Sequence, residues 1–141
     1  MKWHSRTGLL IAALVLAGCG TVGEISQKVG IASPSPAVQK VDAGVALYEQ
    51  GDFAAAIRTL HSPEVADGDV ATRVRAHKYL AFSYCVTQRR VLCRRSFDAA
   101  LRLDESFDLA PAEAGHPIWG PVFAQARKAA TQRREVARGA R

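Results

Sequence analysis

Residues 37–60 read "AVQKVDAGVALYEQGDFAAAIRTL", and the fold turns on them. Val38, Val41, Val45 and Tyr48 recur at helical spacing; after Gly51-Asp52 a second series, Phe53, Ala56, Ile57 and Leu60, runs i, i+3, i+4, i+7. That period gathers apolar side chains on one stripe of a helix, where a strand would alternate them. Glycine suits the left-handed residue just past a helix end, and an aspartate after it can accept from the free N–H groups of the next first turn. The stretch therefore predicts two short helices joined by a tight turn.

The same grammar continues toward the C-terminus. "SPEVADGDV" (62–70) reads as a loop closed by a second N-cap candidate, Asp69. The helix predicted over 70–87, "VATRVRAHKYLAFSYCVT", turns Val74, His77, Ala81, Tyr84 and Cys85 inward. After the basic turn "QRR", the stretch "VLCRRSFDAALRLD" (91–104) turns in Cys93, Phe97, Ala100 and Leu101. No useful run of β-type alternation occurs, so the expected fold class is all-α.

Leu47 and Tyr84, Gly44 and Ala81, Ala56 and Cys93, and Leu60 and Phe97 are pairs 37 positions apart that keep size or polarity, whereas Ile57 and Arg94 at the same offset do not. Such a period is the mark of a helical-hairpin array. With Gly44, Gly51, Asp52, Phe53, Ala56, Ile57 and Leu60 in one unit and Leu80, Ala81, Tyr84, Cys93, Phe97, Ala100, Leu103 and Asp104 in the other, the chain resembles the tetratricopeptide repeat. Two departures are Leu47 in place of the aromatic of the first helix, and Glu105 where that family usually has proline. A two-unit array needs a cap, and Trp119, Val122, Phe123 and Ala126 at i, i+3, i+4, i+7 supply one. The fold expected is a tetratricopeptide-like stack of two helical hairpins plus a C-terminal capping helix over residues 37–130, followed by a basic tail at 131–141, with the chain fraying from Arg127 onward.

The N-terminus does not read as fold. Lys2 and Arg6 precede an uncharged apolar run, Gly8 to Ala17, shorter than the ~20 residues that span a bilayer. This is the layout of a signal peptide, here residues 1–18. Leu16-Ala17-Gly18-Cys19 resembles the lipobox of bacterial lipoproteins. The resemblance implies cleavage before Cys19 and acylation of its thiol and amine. Gly20 in place of aspartate implies an outer-membrane anchor with the body facing the periplasm. Residues 19–36, rich in Gly, Ser and Pro, read as a flexible tether with an r.m.s. span of about 20–25 Å.

Three cysteines thus become one anchor and a pair. Cys85 and Cys93 fall near the end of one helix and in the first turn of the next, within reach of a disulfide. Two buried free thiols and a redox-active pair are the alternatives, the last without C-x-x-C spacing. His61, His77 and His116 lie on separate elements without the spacing of metal ligands, so no metal or other cofactor is expected. A net charge of +6 is dispersed and does not argue for nucleic acid. No nucleophile motif and no phosphate-binding glycine loop is present, so no catalytic residue is assigned and the chain reads as a binding protein.

The segment "FDLAPAEAGHPIWGPVFAQA" (107–126) fixes an unusual backbone course with Pro111, Pro117 and Pro121. Within it Trp119 is either an exposed anchor for a partner or a closing piece of the core. This segment and "KYLAFSYCVTQRRVLCRRSF" (78–97) resemble TssQ, a family of small lipoproteins encoded with type VI secretion systems. The resemblance covers about residues 40–128 and rests on the tyrosine-rich helix, the two cysteines and the Ala112–Pro121 run. It implies a non-catalytic accessory near a membrane complex. An envelope-assembly or pilus-biogenesis lipoprotein and a periplasmic redox protein are the competing readings. The partner-facing residues expected on the concave face of the first helices are Tyr48, His77, Tyr84 and Trp119.

Overall fold

Residues 33–141 are described by the computed structural model; Cys19, the leader and most of the tether lie outside them. The described residues carry seven helices and no strand: α1 (Pro36–Glu49), α2 (Phe53–Leu60), α3 (Pro63–Ala66), α4 (Val70–Val86), α5 (Arg90–Leu103), α6 (Pro111–Ala114) and α7 (Gly120–Gly139). The all-α class follows directly.

Local chemistry sets the boundaries. Ser35 opens α1 by accepting from Val38 N–H, with Pro36 in the first turn where its missing N–H costs nothing. Gly51, at φ +82°, closes it. The Gly51 N–H donates to Tyr48 O and the Asp52 N–H to Leu47 O, which together satisfy two last-turn carbonyls. Asp52 then accepts from Ala55 N–H at 2.9 Å and starts α2.

The same turn recurs between α4 and α5. Gln88 N–H donates to Cys85 O and Arg89 N–H to Tyr84 O, each 37 positions on from its counterpart. Gln88, at φ +62°, takes the place of Gly51 and is the non-glycine residue with positive φ among those described. The 37-residue offset is thus written in the backbone as well as in the side chains. The copies differ at the cap, since Arg89 gives α5 no side-chain acceptor.

Packing follows chain order. α1 pairs with α2 and α4 with α5; both helices of the first pair lie against α4, and α7 lies against α5. Gly44 is where α1 and α2 approach, and a Cβ there would fall 2.6 Å from Leu60 Cγ. Leu60, Leu80, Val41, Cys93 and Phe97 are almost completely buried. Phe123 of α7 meets Phe97 edge-on at 5.1 Å and Phe107 at 5.6 Å, which covers the outer side of α5.

Three expectations change. The loop expected at 62–70 contains the single turn α3, with Pro63 in its first turn and Val65 buried. Trp119 is not on the capping helix but is the residue before it. The tail expected to fray from Arg127 stays helical through Gly139, although residues 131–141 are exposed. Ala, Arg, Gln, Lys and Glu dominate it, all strong helix formers, and no glycine or proline interrupts it before Gly139. Arg134 also reaches Glu105 at 3.6 Å.

Candidate interaction surface

α4 is the central helix, and its two long sides face different neighbours. Arg75, Lys78, Tyr79 and Phe82 share one stripe by helical spacing. Arg75 pairs with Asp42 of α1. Lys78 Nζ donates to Glu113 Oε1 of α6 at 2.7 Å and stands over the Tyr79 ring, 5.0 Å from its centroid. Tyr79 meets Tyr48 of α1 edge-on at 5.3 Å, and Tyr48 also touches Phe53 and Phe82. The result is a cluster of aromatic rings and paired charges along α4, in contact with α1 on one side and with α6 and the segment after it on the other. Tyr48, Phe53, Lys78, Tyr79, Glu113 and His116 are half-buried in it. Burial, then the nearby Tyr79 and Glu113, push the Tyr48 hydroxyl above its ordinary pKa, so it stays a neutral donor.

Trp119 lies beneath this cluster rather than at its surface. It is 7% exposed. Its ring stacks on Phe82 at 4.3 Å and on His116 at 3.4 Å, and its Nε1–H donates to Glu113 O at 2.9 Å. A tryptophan held on both faces and at its N–H closes a core. The exposed-anchor reading of Trp119 is therefore replaced by the core-closing one. The partly exposed residue above it is His116, whose Nδ1 accepts from Ile118 N–H.

His77 and Tyr84 lie on the other side of α4, away from Tyr48. Tyr84 is buried, and its hydroxyl is 3.0 Å from His61 Nε2. His77 was expected inward but is only half-buried; it lines a cavity of about 130 Å³ between α2, α3 and α4 together with His61, Arg73, Val65 and Leu80. Burial is the first cause that lowers the His77 pKa, and His61, Arg73 and Arg102 add to it. The four expected partner-facing residues thus do not form one surface. Tyr48 alone belongs to the α4 cluster at its surface, Trp119 lies beneath it, His77 lines the cavity, and Tyr84 is buried against His61.

Cys85 and Cys93 are joined in a disulfide, with Cα atoms 5.1 Å apart, and both are buried. The bond ties the end of α4 to the start of α5 just past the Gln88 turn. Burial leaves neither sulfur in a cleft where a redox partner would reach it. Among the described residues no three His, Cys, Asp or Glu side chains gather to hold a metal, and no helix is long and apolar enough to cross a membrane.

Lys78, Tyr79, Phe82 and Glu113 carry no site signal of their own in the sequence, and His116 stands out there only as a metal-ligand candidate. Arg75, Lys78, Tyr79 and Phe82 carry an i, i+3, i+4, i+7 spacing, but the parallel series through Val74, His77, Ala81 and Tyr84 is helical as well, and the sequence alone does not choose between the two faces. No family of proteins, no characterised protein and no solved structure gives a match to this chain.

Proposed function

We propose that this chain is a lipid-anchored protein-interaction module of the periplasm, without catalytic activity, whose α1–α4 cluster holds a segment of a partner. One observation carries the reading: aromatic rings and a half-buried Lys78–Glu113 pair stand together along α4, in contact with α1 and α6. Aromatic residues are enriched at interface centres. The 37-residue recurrence of the turn supports a tetratricopeptide-like array, a fold whose first helices line a concave face. The Cys85–Cys93 bond supports an oxidising compartment. Lipidation at Cys19 and an outer-membrane address come from the sequence around that cysteine. The resemblance to the TssQ lipoproteins makes a component of a type VI secretion apparatus the proposed partner, and the chain its accessory.

The test is a pull-down of the tagged chain from cell envelopes, run beside a Lys78→Glu/Tyr79→Ala variant. The wild type should recover a secretion component and the cluster variant should not. Equal recovery by both would remove the cluster from the reading, and recovery of no secretion component by either would overturn the partner. Labelled palmitate should enter the wild type and not Cys19→Ala; equal incorporation would overturn the anchor.

A further inference from the structure

On the far side of α4 from the aromatic cluster, the cavity of about 130 Å³ has an apolar floor of Leu60, Val65, Ala76 and Leu80 and a basic rim of His61, Arg73 and His77. No acidic side chain lines it. Arg73 belongs to none of the six ion pairs among the described residues. Arg102 of α5 is close enough to His77 to act on it electrostatically. Tyr84 of α4 is bonded to His61. Glu64 of α3 is not among the lining residues and lies 4.0 Å from Lys40.

We infer that this cavity is a carboxylate-binding site, which takes a carboxylate on a short aliphatic stem. The size agrees. Liquid water takes roughly 30 Å³ per molecule, so the space holds about four or five heavy atoms, the size of propionate or of the tip of a glutamate side chain. The chemistry agrees as well. An arginine without a carboxylate partner offers a planar fork that matches one, the two imidazoles add donors, and the stem meets Leu60, Val65 and Leu80. Arrival of the anion favours the protonated form of His77, so binding draws in a proton and tightens as pH falls. The site is separate from the α1–α4 cluster, so neither proposal depends on the other.

The test uses the full isotope-labelled chain in mild detergent, titrated with propionate and, separately, with its neutral isostere propionamide. Saturable amide and imidazole shifts at His61, Val65, Arg73 and His77 are expected with propionate and not with propionamide. Affinity should be at least threefold higher at pH 6 than at pH 8. Arg73→Gln should weaken it by roughly tenfold or more, the loss expected for one charge-assisted partner, whereas Arg75→Gln on the opposite stripe should leave it unchanged. Titration with N-acetylglutamate amide, whose termini carry no charge, separates the sources. Binding at least as tight as propionate identifies an acidic side chain of a protein, and binding of propionate alone identifies a small free acid. The wild-type comparison needs no variant to fold. No saturable shift, equal shifts with propionamide, or unchanged affinity in a folded Arg73→Gln would each overturn the site.

Discussion

Gly44 and Gly139 are both helical glycines, and they should respond in opposite ways to the same change. At Gly44 a Cβ would meet Leu60 at 2.6 Å, and Leu60 is held in the core. Gly44→Ala should therefore destabilise by about 1–3 kcal/mol, as overpacking does, despite alanine's advantage in a helix of up to ~1 kcal/mol. A Cβ at Gly139 meets nothing within 4 Å, so Gly139→Ala should be neutral or slightly stabilising. Urea unfolding of both variants checks the pair. His77 makes a second claim at this scale. Its folded pKa lies below its ordinary value of 6.5, so the unfolded chain binds the proton more readily. Stability should be highest above that value and should fall as pH drops through 6.5 toward the folded pKa. Stability curves between pH 7.5 and 5 should be flatter for His77→Gln than for the wild type; equal slopes would show that another group sets this dependence. The carboxylates with lowered pKa, Glu64, Asp69, Asp104 and Asp108, act in a more acidic window.

Elements were more legible than surfaces, and the turns explain why. A helix end depends on a few neighbouring residues, so Gly51-Asp52 and Asp69 could be read as stop and start from the chain alone. The one-turn α3 escaped because four residues are too few to show a period. The aromatic stripe of α4 escaped for a different reason. α4 is covered on several sides, and Leu80, Ala81, Phe82, Ser83, Tyr84 and Cys85 are buried in succession, so apolar spacing does not single out one inner face. Which side meets α1 and which meets α2 depends on distant neighbours, 33 positions away for Asp42 and Arg75 and 23 for His61 and Tyr84. Trp119 escaped similarly, since its role is decided by Phe82 on one face and His116 on the other. The turn that joins α4 to α5 yields a prediction at this scale. Gln88 occupies a conformation that disfavours side chains with a Cβ, so Gln88→Gly should gain from a few tenths to ~1 kcal/mol. The adjacent disulfide constrains the same short loop, and reducing it should cost about 2–3 kcal/mol in the loop-entropy picture. Thermal unfolding with and without reductant measures the second, and the wild type beside the glycine variant measures the first. An unchanged midpoint on reduction would mean that α4 and α5 hold their turn by packing alone.

At the scale of the whole molecule, two hairpins do not close their own core. The last hairpin helix, α5, would leave Phe97 and Leu101 facing water without the residues that follow it. Leu109, Trp119, Val122, Phe123 and Ala126, all buried, come from beyond Asp104. They seal two places at once, because Phe123 covers Phe97 while Trp119 covers Phe82 on the aromatic side of α4. The distal part of α7 is different: residues 131–141 are exposed, and Val136 is 74% exposed. Two truncations should therefore behave in contrasting ways. A chain ending at Ala130 keeps every buried residue and loses only surface contacts such as Arg134–Glu105, an exposed pair worth at most about 1 kcal/mol. It should unfold cooperatively, close to the full chain. A chain ending at Asp104 should keep helical far-UV signal, lose near-UV signal and bind a hydrophobic dye, the behaviour of a compact state without fixed packing. Circular dichroism and dye binding on the two chains decide the matter. A cooperative transition in the shorter chain would mean that the two hairpins suffice, and that the segment carrying Glu113, His116 and Trp119 serves the surface cluster rather than the core.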